Sequence, residues 1–278
     1  MLNAAKNSSI NQELDFHFFE IRKAQTNLKG VSKKTALIYS DVFSNESQNS
    51  VYIKPENLQI TGIALAAKAL NPNIKMIGAE PEGAKATKES LDNNGIVNLS
   101  TVRTIADGVA VKKPGALTFE IIRNYVDEIV TVSDFDIMES FLLLLEKHKL
   151  ISEASGALSF AGLKKIQEKG KKIACVLSGG NIDVVTISSM IDRGLVSRGR
   201  LFCFSLEMPD IPGELVRVST ILAKVNANVV KLDHNHFKTN DCFMQVQLEI
   251  TAETNGHNHV AKIINELNKG GYKVHKIY

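Results

Sequence analysis

Lys172-Ile173-Ala174-Cys175-Val176-Leu177 is a short run rich in apolar residues, and it ends in Ser178-Gly179-Gly180-Asn181. The run reads as a strand and the glycine pair as a tight turn at its end. In an open α/β sheet, ligands gather where strands end in such turns. Working outward, the sequence keeps the alternation that such a sheet requires. Ser152 to Glu168 reads as a helix, with Ala154, Gly156, Ala157, Ala161 and Gly162 small enough for close packing. Before it, Glu128 to Val132 is a strand, and Ser133 or Asp134 caps a helix over Asp136 to His148. Leu117 to Tyr125 is a helix. Lys75 to Ala79 is a strand of the buried parallel type that stops at Glu80-Pro81. Ile60 to Leu70 is a helix closed by Asn71-Pro72-Asn73, and Val51-Tyr52-Ile53 is a strand halted by Pro55. Leu14, Phe18, Ile21, Ala24 and Leu28 recur at helical spacing over Glu13 to Leu28. Strands alternating with helices predict an α/β layer.

The pattern changes at Arg198-Gly199-Arg200. From there the order is strand (Leu201 to Glu207), helix (Gly213 to Val225), strand (Asn228 to Phe237), strand (Cys242 to Thr251), helix (Gly256 to Lys269) and strand (Tyr272 to Ile277). That is the ferredoxin-like βαββαβ unit. The expected domains are therefore 1–198 and 199–278. Val216, Ile221, Leu222 and Val225 are the expected core stripe of the first helix of this unit, and Ile263, Ile264 and Leu267 that of the second. Helices on a single face leave the other face and an edge to cover, which predicts pairing with a second copy.

Composition narrows the class of protein. The chain has 278 residues, with 44% hydrophobic and 23% charged, as a folded globular protein does. Lys and Arg number 33 against 30 Asp and Glu, a net +3 that lacks the electrostatic footprint of a nucleic-acid binder. Three cysteines, Cys175, Cys203 and Cys242, stand far apart without CxxC spacing, which suits a reducing cytosol and argues against a disulfide scaffold. No apolar run approaches the ~20 residues of a membrane span, and Met1 to Gln12 has no apolar signal core. A cytoplasmic protein with no nucleic-acid or membrane partner is expected.

Several stretches resemble threonine ammonia-lyase, the pyridoxal-phosphate enzyme also called threonine dehydratase. They are Val51 to Gln59 (VYIKPENLQ), Ala66 to Gly83 (AAKALNPNIKMIGAEPEG), Thr104 to Glu120 (TIADGVAVKKPGALTFE) and Val176 to Asp183 (VLSGGNID). The tail from Leu201 resembles an ACT regulatory domain, with Pro209-Asp210-Ile211-Pro212-Gly213 at its first turn. The resemblance implies part of a fold type II catalytic domain followed by the ACT domain, and an activity converting L-threonine to 2-oxobutanoate and ammonia, with serine as second substrate. It makes Ser178, through its hydroxyl toward the pyridine nitrogen, Gly179 and Glu153 the cofactor-binding residues. Asp210, Ile211, Pro212 and Gly213 become the effector-binding residues, the effector being an amino acid or a nucleotide.

The same resemblance exposes a gap. In the family Asn-Leu-Gln leads into a Thr-Gly-Ser-Phe-Lys type segment whose lysine forms the Schiff base, and a glycine-rich phosphate loop follows. Here Gln59 runs directly into Ile60-Thr61-Gly62, which resembles the helix after that loop. The middle of the catalytic domain is missing, so no catalytic residue is assigned. Lys54 is read as a strand-end residue and Lys68 as a solvated helix-face residue. A non-catalytic chain that uses its ACT module as a sensor and oligomer contact is the alternative. Glu80 with a neighbouring carbonyl resembles a cation site of some relatives, but the last acidic position is Ala86, and no metal is expected. His234 and His236 share a strand face without a third ligand, and His257 and His259 flank a helix start facing solvent.

Overall fold

The computed structural model describes residues 36–55, 60–235 and 245–278, together with helical positions Phe19, Arg22, Lys23 and Thr26. Most of the expected helix Glu13 to Leu28, and Gln59, His236 and Cys242, lie outside the described residues. The chain divides into two compact units, Met1–Ile182 and Asp183–Tyr278.

In the N-terminal unit, strand β1 (Ile38–Tyr39) leads into helix α1 (Asp41–Ser47) and strand β2 (Ser50–Pro55). Ser40 caps α1 by accepting from the Phe43 N–H, and Gln48 closes the helix in the left-handed region. On β2, Val51 and Ile53 are fully buried while Tyr52 and Lys54 are half-buried, the alternation of a strand with one packed face. β1 lies antiparallel on one side of β2, and β5 (Lys172–Leu177) lies parallel on the other. The β2–β5 register sets Lys54 beside Val176 and Pro55 beside Leu177.

A second parallel pair joins β3 (Ile77–Pro81) to β4 (Glu128–Val132). β3 starts two residues later than Lys75, because the Met76 N–H is taken by the Asp127 carboxylate at 2.6 Å and its carbonyl by the Asp127 N–H. The same carboxylate holds Lys68 at 2.7 Å, and the Lys68 side chain is only 15% exposed. Lys68 is therefore an anchoring residue between α2 (Ile60–Leu70) and the start of β4, not a freely solvated one. Helices α3 (Ala86–Asp92) and α4 (Ala116–Tyr125) follow in sequence around this pair.

Ser133 caps α5 (Asp134–Leu143) by accepting from the Asp136 N–H, as expected, but the last turn to His148 is a π turn. The expected single helix over Ser152 to Glu168 is a different structure. A 3-10 turn (Ser155–Ala157) precedes the short α6 (Leu158–Gly162), and a second 3-10 turn (Leu163–Lys165) follows. Gly156 lies so close to the end of β5 that a Cβ built on it would stand 1.9 Å from the Ser178 carbonyl oxygen. That approach sets the path of the chain, overriding local helix propensity.

The C-terminal unit opens on helix α7 (Val184–Ser197), capped by Asp183 accepting from the Thr186 N–H. This helix precedes the expected boundary at Gly199 yet clusters with the C-terminal residues. Then come β6 (Leu201–Pro209), α8 (Glu214–Lys224), β7 (Asn228–Asn235), β8 (Gln245–Glu253), α9 (His257–Lys269) and β9 (Val274–Lys276). The sheet order is β7-β8-β6-β9 with every pair antiparallel, the arrangement of a ferredoxin-like βαββαβ unit. Phe204 faces Ile250, Leu206 faces Leu248 and Met208 faces Val246 in register, so the two central strands present one continuously apolar face. Val218, Leu222, Ile263 and Leu267 close over it, each at most 1% exposed.

Val216 does not belong to that stripe: it is 69% exposed. Leu215, Val218, Leu222 and Val225 keep the helical phase that meets the sheet, and Val216 lies about 100° around the helix from Leu215. The opposite sheet face carries Cys203, Ser205, Glu207, Lys231, Asp233, Glu249 and Thr251, so it is largely polar. Edge strand β7 has a bulge between Val229 and Lys231, a device that blunts strand-to-strand pairing. His257 and His259 are bonded to the backbone. His257 Nε2 is 2.9 Å from the Ser197 carbonyl. His259 Nδ1 accepts from the Asn255 N–H, so its Nε2–H donates to the Val225 carbonyl at 2.6 Å. Among the described residues no helix is long and apolar enough to cross a membrane.

Candidate active site

Three stretches far apart in sequence converge at the end of β5. Ser178 and Gly179 form the turn, and Gly179 adopts a φ of 83°, a conformation that favours glycine. The Glu153 N–H donates to the Gly179 carbonyl at 3.3 Å. The Glu153 side chain lies against Gly179 so closely that a Cβ there would stand 2.2 Å from its Oε1. Ser155 Oγ–H donates to the same oxygen at 2.6 Å. The loop Ala106–Ala110 arrives from the other side, where a Cβ on Gly108 would meet Ser155 Oγ at 2.7 Å and Glu153 Oε1 at 3.2 Å. Thr104 and Ile105 fasten that loop, both donating to the Asp134 carboxylate.

The structure thus brings Glu153, Ser178 and Gly179 together around one carboxylate, which spacing alone could not show. The Ser178 side chain is half-buried at the strand end. Lys54 is on the neighbouring strand, one register step before the level of Leu177. Cys175, fully enclosed within β5, has its thiol pushed up to about 12 by burial and is inert at neutral pH.

Asp210, Ile211, Pro212 and Gly213 form an exposed turn between β6 and α8. Gly213 has a φ of 100°, a conformation that favours glycine, and a Cβ added to it would meet no atom of this chain within 4 Å. Asp107 accepts from the Gly108 N–H, as turn chemistry requires. The two Glu80 carboxylate oxygens accept from the Thr87 and Lys88 N–H groups at the start of α3. Sequence reading missed that use. The helix start six residues on, in Ala86-Thr87-Lys88-Glu89, carried the signal.

By the resemblance, a pyridoxal phosphate would meet the Ser178 hydroxyl at its ring nitrogen. Among the described residues, Gly179-Gly180 opens no helix that could take its phosphate. Two concavities lie away from this turn. One is a water-sized void of about 10 Å³ beside Val196 and Leu201, and the other is an open, charged groove of about 420 Å³ at Lys75, Glu128 and Glu168.

Residues 59–179 match the family described as pyridoxal-phosphate dependent enzyme. The chain is 40% identical over 217 residues to the L-threonine ammonia-lyase of Geobacter sulfurreducens, covering 77% of this chain and 54% of the relative. To the L-threonine ammonia-lyase of Thermotoga maritima it is 39% identical over 216 residues, again 77% and 54%. A solved threonine deaminase, isoform 2 from Solanum lycopersicum in its processed form, is 31% identical over 52% of this chain and 43% of its own, with a TM-score of 0.46. The chain spans about half the length of the curated relatives it matches. Residues 59–179, under half of the chain, carry this likeness to pyridoxal-phosphate dependent enzymes.

Proposed function

We propose that the chain is built on the plan of an L-threonine ammonia-lyase, with L-threonine and L-serine as its substrate class, and that as written it does not dehydrate them. One observation carries this reading. β2 ends at Pro55, level with Leu177 and one step short of Ser178, and Ile60 already opens α2. Everything the chain supplies between strand end and helix is Glu56-Asn57-Leu58-Gln59, which contains neither a lysine nor a glycine. Dehydration at this site needs an amine to bind the cofactor and backbone donors for its phosphate. When bound, the cofactor supplies the electron sink for loss of the α-proton and the β-hydroxyl.

On this reading the working part of the chain is the βαββαβ portion of its C-terminal unit, an ACT-type module spanning 199–278. It would bind an amino acid or nucleotide near Asp210 to Gly213 and pair with a second copy. The complete hydrophobic core of the βαββαβ unit supports a self-sufficient module.

The test is cofactor retention by the full chain. After incubation with pyridoxal phosphate and dialysis, no visible cofactor band should remain, and no 2-oxobutanoate should form from L-threonine. Ser178→Ala should change neither result. A dialysis-resistant band that borohydride bleaches, or turnover above the rate of free cofactor, would overturn the reading. Titration calorimetry with isoleucine, valine, AMP and ADP tests the sensor role, and silence from all four would sink it.

A further inference from the structure

Ser40 and His148 are 108 positions apart, yet Ser40 Oγ and His148 Nε2 are 2.8 Å from each other. Ser40 has no exposed surface. Its oxygen already accepts from the Phe43 N–H at 3.3 Å as the cap of α1. The hydroxyl has one proton left to place, and a neutral imidazole nitrogen can accept it. The ring itself is stacked on Phe43, centroids 6.2 Å apart and planes 6° from parallel, and Phe43 in turn packs on Phe160 at 4.9 Å. An imidazolium carries N–H on both nitrogens. Nε2 would then have to donate to Ser40 Oγ, and the Ser40 proton would lose this acceptor, a cost for a buried donor.

We propose that Ser40 and His148 form a proton-operated latch: the neutral ring holds the α1 cap closed, and protonation loosens the β1–α1 segment from the core of the N-terminal unit. The segment is mechanically joined to the candidate site. Ser44 Oγ accepts from the Val51 N–H, and β2 runs from there to the level of Leu177, next to Ser178.

The charges carried by the surrounding elements are Asp41 and Glu46 on α1, Glu146, Lys147 and Lys149 around the π turn, and Lys164 and Lys165 on the 3-10 turn that packs against α1. Asp41 is the one whose field acts on the ring. Burial lowers the His148 pKa from 6.5, and Asp41 only partly opposes it. Between that lowered value and 6.5 the unfolded chain binds more protons than the folded one. The latch therefore contributes fully above about pH 6.5 and is lost as pH falls through the folded value.

Amide exchange of the full chain, corrected for intrinsic rates and referenced to β6, tests this. From about pH 7.5 to about pH 5, opening of residues 41–53 should accelerate roughly three- to tenfold in the wild type. His148→Gln and Ser40→Ala should open faster at the higher pH; His148→Gln should show no such acceleration, and Ser40→Ala a smaller one, because burial of the ring still lowers its pKa. A flat wild-type profile, or a wild-type pH profile retained in either variant, would overturn the latch. Ser40→Ala removes only a cap and its one partner, a change small enough to leave the unit folded, so it keeps the test open should His148→Gln fail to fold.

Discussion

Gly156→Ala is expected to cost the N-terminal unit about 3 kcal/mol or more, at the upper end of what overpacking does. The added methyl would sit 1.9 Å from the Ser178 carbonyl oxygen, 2.9 Å from that of Gly179 and 3.0 Å from the Ser178 carbonyl carbon. All three are backbone atoms, so no side chain can swing aside. Relief requires moving either the end of β5 or the 3-10 turn at Ser155–Ala157, which is itself buried. Because Glu153 and Gly179 are bonded across the same contact, the variant should also separate the Glu153 carboxylate from the turn. Gly62→Ala is the matched control. It lies inside α2 with nothing within 4 Å of the new carbon, so it should be neutral or stabilise by about 0.4–1 kcal/mol. Denaturant melts followed at the N-terminal unit decide the matter. Equal midpoints for the two variants would show that the close approach at Gly156 carries no structural weight.

Phe204→Ala should remove about 3–5 kcal/mol from the C-terminal unit. Phe204 is completely buried, stacks on Phe202 with centroids 4.9 Å apart, and stands opposite Ile250 at the centre of the sheet. It belongs to the cluster closed by Val218, Leu222, Ile263 and Leu267, so truncation leaves a void bounded by both helices. Domains of this size are stable by only about 5–15 kcal/mol, and such a loss takes a large share. Val216→Ala, on the same unit's first helix but 69% exposed, should change stability by less than about 0.5 kcal/mol. Amide protection across β6 and β8 reports both. Were the two substitutions equally damaging, the helix phase that leaves Val216 uncovered would be wrong.

The contrast between these residues shows how far the sequence could be read. Alternation along Leu201 to Pro209 and Gln245 to Glu253 marks the strands of the C-terminal unit because the pleat imposes its own period of two. Apolarity alone misassigned Val216, since only phase relative to Leu215, Val218 and Leu222 decides which side of a helix is covered. Helix α7 went unrecognised although Asp183 and Thr186 carry the cap signature at its start. The run Ser152 to Glu168 was over-read as one helix because its small residues serve close approach to β5. Ser178, Gly179 and Glu153 were legible as site residues only through their resemblance to a family.

Local periodicity and capping are encoded within a turn or two of chain, so the sequence alone determined the α/β alternation, the βαββαβ order and the four residues available between Pro55 and Ile60. Close approaches depend on segments that chain connectivity does not bring together. The tertiary structure alone decided that Glu153 lies against Gly179, that Glu80 caps α3, that Lys68 is anchored to Asp127, and that His148 reaches Ser40. Each of these pairs is set by packing of whole elements, where a shift of about one ångström makes or breaks the contact and no pattern of neighbouring residues records it.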